Sequence, residues 1–135
     1  MIGSDHAGAA FSHSVAIALN AMHDFTEKGP DKTQLWQRIA IKPGEVVLQV
    51  EELITTTGTL EAVRQGIIAG NSEPVTFAPL VGVLVHRSDV YTVHDSPIVY
   101  LVHLDISTWK PDQCPLCAAG SRPLRPKMHW QELTS

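Results

Sequence analysis

Glu51 and Glu52 end an apolar run, Val46-Val47-Leu48-Gln49-Val50. They are followed by Leu53-Ile54 and then by Thr55-Thr56-Thr57-Gly58-Thr59. Adjacent carboxylates can accept hydrogen bonds from the hydroxyls of a sugar. Hydroxyls and amides around a glycine can cradle a phosphate at the start of a helix, and Leu60-Glu61-Ala62-Val63-Arg64 begins a helical pattern there. The chemistry implied is binding of a phosphorylated sugar. The spacing predicts a buried parallel strand over residues 46–50, delivering the carboxylates to its carboxyl end, where open α/β sheets bind ligands. The plain alternative is an ordinary strand–turn–helix with a polar turn.

The elements that would hold these groups follow from periodicity. Phe11, Val15, Ala18, Leu19 and Met22 recur on one face of a helix predicted over residues 9–22. Residues 23–27 read as extended, and Lys28-Gly29-Pro30-Asp31-Lys32 as a polar turn opening a mobile loop over residues 29–37. Residues 35–41 read as extended and 42–45 as a turn. The helix after the threonines spans residues 58–69, with Leu60, Val63 and Ile67 inward and Gly70-Asn71 ending it. Two more buried strands, residues 80–85 and 98–104, flank a polar loop over residues 88–95, and an irregular tail occupies residues 107–135. Alternating strands and helices predict an α/β fold with a mainly parallel sheet.

The 135 residues suffice for one domain with a real core, and 44% hydrophobic with 18% charged is a globular composition. The net charge of −4 argues against a general nucleic-acid binder. No apolar stretch is long enough to span a bilayer, and no signal-peptide pattern opens the chain, so a cytoplasmic location without a membrane partner is expected. Cys114-Pro115-Leu116-Cys117 is half of a zinc knuckle, with His129 the nearby downstream histidine; a structural zinc site wants four ligands, and a redox role is the other reading. Trp36, Trp109 and Trp130 read as packing or dimer contacts.

Beside the motif from Val46 to Thr59, five segments, in order, carry a resemblance: Gly3-Ser4-Asp5-His6-Ala7-Gly8-Ala9, Phe25-Thr26-Glu27-Lys28, Ile41-Lys42-Pro43-Gly44-Glu45-Val46-Val47-Leu48, Leu84-Val85-His86-Arg87-Ser88, and the run from Trp109 to Cys117. Together they resemble the type I phosphoribosyltransferase family, most closely the orotate enzymes. The resemblance implies a three-layer fold with a mainly parallel sheet. Set against that pattern, the chain is expected to hold only Met1-Ile2 of the first core strand and to lack the family's N-terminal hood. It implies transfer of ribose 5-phosphate from phosphoribosyl diphosphate (PRPP) to orotate or a related base, with release of diphosphate. A non-catalytic protein of the same fold, binding a phosphorylated sugar, a nucleotide or a protein partner, is the rival reading.

The resemblance also assigns roles. Glu51 and Glu52 would bind the ribose hydroxyls, and Thr55, Thr56, Thr57, Gly58 and Thr59 the 5′-phosphate. Ser4, Asp5, His6, Ala7 and Gly8 would hold the diphosphate, Lys28 would approach it, and Lys32 would ride on the catalytic loop. Arg87 would meet the orotate carboxylate. Mg²⁺ would arrive on PRPP near Glu51 and Glu52, without direct protein ligation, and the molecule would be a homodimer. Glu52 stands where the family has Asp, His86 where it has Asp, and Thr57 where it has Gly; were φ positive at that position, a β-branched residue would be strained.

Overall fold

The computed structural model describes residues 1–135, which form two compact units, Met1–Asp105 and Ile106–Ser135. The first contains β1 (Ile2–Ser4), α1 (Ala7–Ala18), β2 (Asp24–Lys28), a 3₁₀ turn (Pro30–Lys32), β3 (Gln34–Leu35), β4 (Val46–Ile54), α2 (Gly58–Gly70), β5 (Thr76–His86), β6 (Thr92–Val93) and β7 (Ser96–His103). They build one seven-stranded sheet in the order β3-β2-β1-β4-β5-β7-β6. Every pairing is parallel except β2–β3 and β6–β7 at the two edges. The crossovers β1–α1–β2 and β4–α2–β5 run toward opposite edges. Their right-handedness therefore places the two helices on opposite faces, giving three layers.

The apolar runs of β4 and β5 form the middle of the sheet, with Val47, Val50 and Ile54 of β4 and Val81 and Val83 of β5 buried. Val47, Val63 and Ile67 pack with Ile2, Trp36 and Ile41 in one cluster. Ile54, Leu60, Val81 and Val83 pack with Val93 and Ile98 in another. β1 contributes three residues, all paired to β2, but only Ile2 pairs to β4, opposite Gln49.

Several expectations change. α1 starts at Ala7 and turns inward Gly8, Ser12 and Ala16, while Leu19 and Met22 of the predicted apolar face are exposed. The cause is close approach: a Cβ on Gly3 would lie 2.3 Å from the Gly8 carbonyl oxygen, so the helix meets the sheet through small residues. β4 continues to Ile54, so Glu51 and Glu52 lie inside the strand, not beyond it. Of the predicted extended stretch over residues 35–41 only Leu35 is strand, joined in β3 by Gln34 just before it. Nor is the loop over residues 29–37 free along its length: Trp36 is 4% exposed, and Gln34 and Trp36 lie against α2 at Gly66 and Gly70. The polar loop after β5 contains β6. In the second unit the expected irregular tail carries a 3₁₀ turn (Pro111–Gln113) and two short helices, α3 (Pro115–Ala118) and α4 (Trp130–Thr134). No helix is long and apolar enough to cross a membrane.

Candidate active site

At the carboxyl end of the central strands lies a cavity of about 640 Å³. It is lined by Ser4, Asp5, Lys28, Gly29, Lys32, Gln34, Glu51, Glu52, Leu53, Thr56, Gly58 and Thr59. The two glutamates come from the C-terminal part of β4, Thr56 from the turn before α2 and Thr59 from its start, Ser4 from the end of β1 and Asp5 from the loop after it, and the lysines from β2 and the turn after it. Four segments distant in sequence thus meet because β1, β2 and β4 are parallel neighbours ending at the same edge.

Glu51 is buried and receives two hydrogen bonds from Ser4, N–H to Oε1 at 3.2 Å and Oγ–H to Oε2 at 2.9 Å. Burial, and then the neighbouring Glu52 charge, push its carboxyl up to about 7 against the opposing Ser4 hydrogen bonds. Gly8 is the residue that permits this arrangement. A Cβ there would stand 2.9 Å from both Glu51 Oε2 and Ser4 Oγ, and 3.2 Å from Glu52 Oε2. Glu52 Oε2 and Asp5 Oδ1 are buried without a hydrogen-bond partner. Lys28 Nζ lies 4.0 Å from Asp5 Oδ1, and His6 Nδ1 lies 3.8 Å from Asp5 Oδ2. The Asp5–His6 peptide bond is cis.

Thr57 caps α2 with φ −80° and ψ −1°. The strain anticipated for a β-branched residue with positive φ is therefore absent. Gly58 sits at the first helical position, where an added Cβ would meet only Thr56 Oγ1 at 3.7 Å.

Of the residues the sequence singled out, Ser4, Asp5, Lys28, Lys32, Glu51, Glu52, Thr56, Gly58 and Thr59 line the cavity. Gly8 lies behind the carboxylates, His6 and Ala7 are exposed on the same loop, and Thr55 and Thr57 belong to the turn without lining the cavity. Arg87 follows β5; its N–H bonds the Ile54 carbonyl at 2.8 Å and its Nε is buried without a partner, but it does not line the cavity. Gln34 was not anticipated. It lines the cavity and its Oε1 accepts the Thr26 hydroxyl at 2.8 Å, a β2–β3 contact with no periodic signature in sequence. His86 is fully buried, its Nε2 bonded to the Val90 carbonyl and its ring packed on Tyr91 and Tyr100.

In the second unit, no third ligating side chain joins Cys114 and Cys117; the His129 ring instead accepts the Arg125 N–H at 2.9 Å.

The architecture is that of a phosphoribosyltransferase-like fold, with the cavity at the carboxyl edge of its parallel sheet. The chain is similar in sequence to curated orotate phosphoribosyltransferases. It is 34% identical to the enzyme of that name from Desulforamulus reducens over 126 residues, covering 93% of this chain and 64% of that one. It is 31% identical to that of Caldicellulosiruptor saccharolyticus over 126 residues, and 28% to that of Acidithiobacillus ferrooxidans over 127, again covering 93% of this chain. It spans 64% and 63% of those two proteins, so just under two thirds of each relative's length is represented. No protein-family model matches the chain.

Proposed function

We propose that the protein is a phosphoribosyltransferase of pyrimidine biosynthesis. It binds PRPP in the β4 cavity and transfers ribose 5-phosphate to orotate or a related base, releasing diphosphate. The observation carrying this reading is the convergence in one cavity of the carboxylate pair, the hydroxyl-rich turn opening α2, and Lys28 and Lys32. In this reading Glu51 and Glu52 take the ribose hydroxyls. Thr55, Thr56, Thr57, Gly58 and Thr59 take the 5′-phosphate, helped by the free N–H groups of the first turn of α2. The loop from Ser4 to Gly8 takes the diphosphate. Departure of diphosphate leaves positive charge on the ribose and negative charge on the leaving group. Cations at Lys28 and Lys32, and close positioning of the base nitrogen, are therefore what the reaction needs. Arg87 is assigned to the base carboxylate. Asp5 Oδ1 and Glu52 Oε2, both buried without a hydrogen-bond partner, are oxygen donors of the type Mg²⁺ takes and fit a metal carried on the diphosphate, Asp5 Oδ1 also facing Lys28 at 4.0 Å. When bound, it would neutralise leaving-group charge.

One observation favours the non-catalytic reading: Asp5 places a carboxylate 4.0 Å from Lys28 inside the loop assigned to diphosphate. Such a site would suit a sugar phosphate or nucleotide better than a metal-free diphosphate. Calorimetry with PRPP and Mg²⁺, and separately with ribose 5-phosphate, followed by an orotate-consumption assay, tests both readings. Micromolar PRPP binding with orotate consumption is expected. Equal binding of ribose 5-phosphate without consumption would select the rival. The double variant Thr59→Ala, Glu51→Gln should weaken PRPP binding tenfold or more; unchanged binding would remove the assignment.

A further inference from the structure

In the 106–135 unit, Cys114 follows the 3₁₀ turn and caps α3, and Cys117 lies one helical turn on. Both thiols are free and partly exposed. The Cys114 Sγ accepts the Cys117 backbone N–H at 3.4 Å, across the single turn that opens α3. Nothing else in the unit claims them, since no third ligating side chain converges there. The site proposed for phosphoribosyl transfer uses neither.

We propose that Cys114 and Cys117 form a thiol–disulfide exchange site whose substrate is the disulfide of a low-molecular-weight thiol. The two residues are chemically unequal. The Cys117 N–H, then the Cys117 thiol, and the Leu116 N–H hold the Cys114 thiol below the ordinary range, while the hydrogen bond from Cys117 to Cys114 pushes the Cys117 thiol up. No charged side chain contributes to the Cys114 shift. Cys114 is accordingly the attacking thiolate and Cys117 the resolving thiol. In the first step the Cys114 sulfur bonds one sulfur of the substrate disulfide, whose S–S bond breaks and releases one thiolate. In the second, Cys117 loses its proton to water and its sulfur bonds the Cys114 sulfur, expelling the second thiolate. In sum, two protein thiols and one disulfide become one protein disulfide and two small thiols, with the two electrons passing to the small molecule. The Cys117 N–H already on the Cys114 sulfur, across a single helical turn, brings the second step within reach without unfolding the unit.

The test uses the full chain, reduced and then exposed to oxidised glutathione, read by intact mass and by maleimide counting of free thiols. The parent should lose both thiols with no glutathione retained. Cys117→Ser should trap one glutathione. Cys114→Ser should react at least tenfold more slowly at pH 7. Iodoacetamide rates on the unaltered protein, resolved by peptide, should titrate at lower pH for Cys114 than for Cys117. Equal reactivity of the two single variants, two glutathiones on the parent, or stoichiometric Zn²⁺ binding by the parent that blocks oxidation would each overturn the proposal, the last in favour of a metal site.

Discussion

Glu51 concentrates the electrostatics of the cavity. Its carboxyl, ordinarily at 4.5, is raised to about 7 in the folded chain. A carboxyl that holds its proton more tightly when folded stabilises fully below 4.5, and that contribution is lost as pH rises through about 7. Stability should therefore fall between pH ~5 and ~8 by on the order of 3 kcal/mol. Urea denaturation across that range should show it, and Glu51→Gln should flatten the slope and be the more stable protein at the alkaline end. Ser4→Ala removes a hydrogen bond to the carboxylate and should move the Glu51 titration higher still, as read by side-chain carboxyl NMR. Thr57→Gly, by contrast, relieves no strain, because Thr57 already has helical φ; phosphate binding should not improve and stability should drop by a few tenths of a kcal/mol.

At the scale of elements, the loop that carries Lys32 is docked by glycines of α2. A Cβ on Gly66 would lie 2.1 Å from the Gln34 carbonyl oxygen, and one on Gly70 2.3 Å from that of Trp36. These are backbone atoms, which cannot rotate away. Gly66→Ala should cost about 1–3 kcal/mol and expose Trp36 to quencher, measured by denaturation and tryptophan fluorescence. Gly58→Ala meets only ordinary contact and should leave stability within about 0.5 kcal/mol. A Gly66→Ala protein as stable as the parent would mean that the docking of β3 on α2 is looser than described.

For the Met1–Asp105 unit as a whole, β7 is the exposed flank. It pairs with the two-residue β6 only at Ser96 and Pro97, and Val99 and Leu101 are 54% and 77% exposed. Unpaired ladder groups beside apolar side chains invite a second chain. A homodimer using this strand is the expected state in sedimentation at micromolar concentration, and Leu101→Lys should return it to monomer. A monomeric parent would remove both this interface and the homodimer that the resemblance implies.

The sequence by itself determined the β4 strand, the carboxylate pair and the threonine turn that opens α2, because strand period, turn chemistry and helix start are local and follow one another without interruption. It also carried the order of the five signatures, and with them the resemblance to the orotate enzymes. Only the tertiary structure decided which residues share the cavity: Gln34 enters through β2–β3 pairing, and Arg87 stands outside the lining. It decided the inward face of α1 as well. Apolar spacing pointed to Leu19 and Met22, but close approach of Gly8 to Gly3 favours small residues over greasy ones. It decided the backbone at Thr57, where a helix cap sets φ, and the contact between Cys114 and Cys117, which spacing permits and only the fold of α3 makes. In each case the deciding contact joins atoms whose meeting depends on how the backbone packs or turns, which local residue type does not encode.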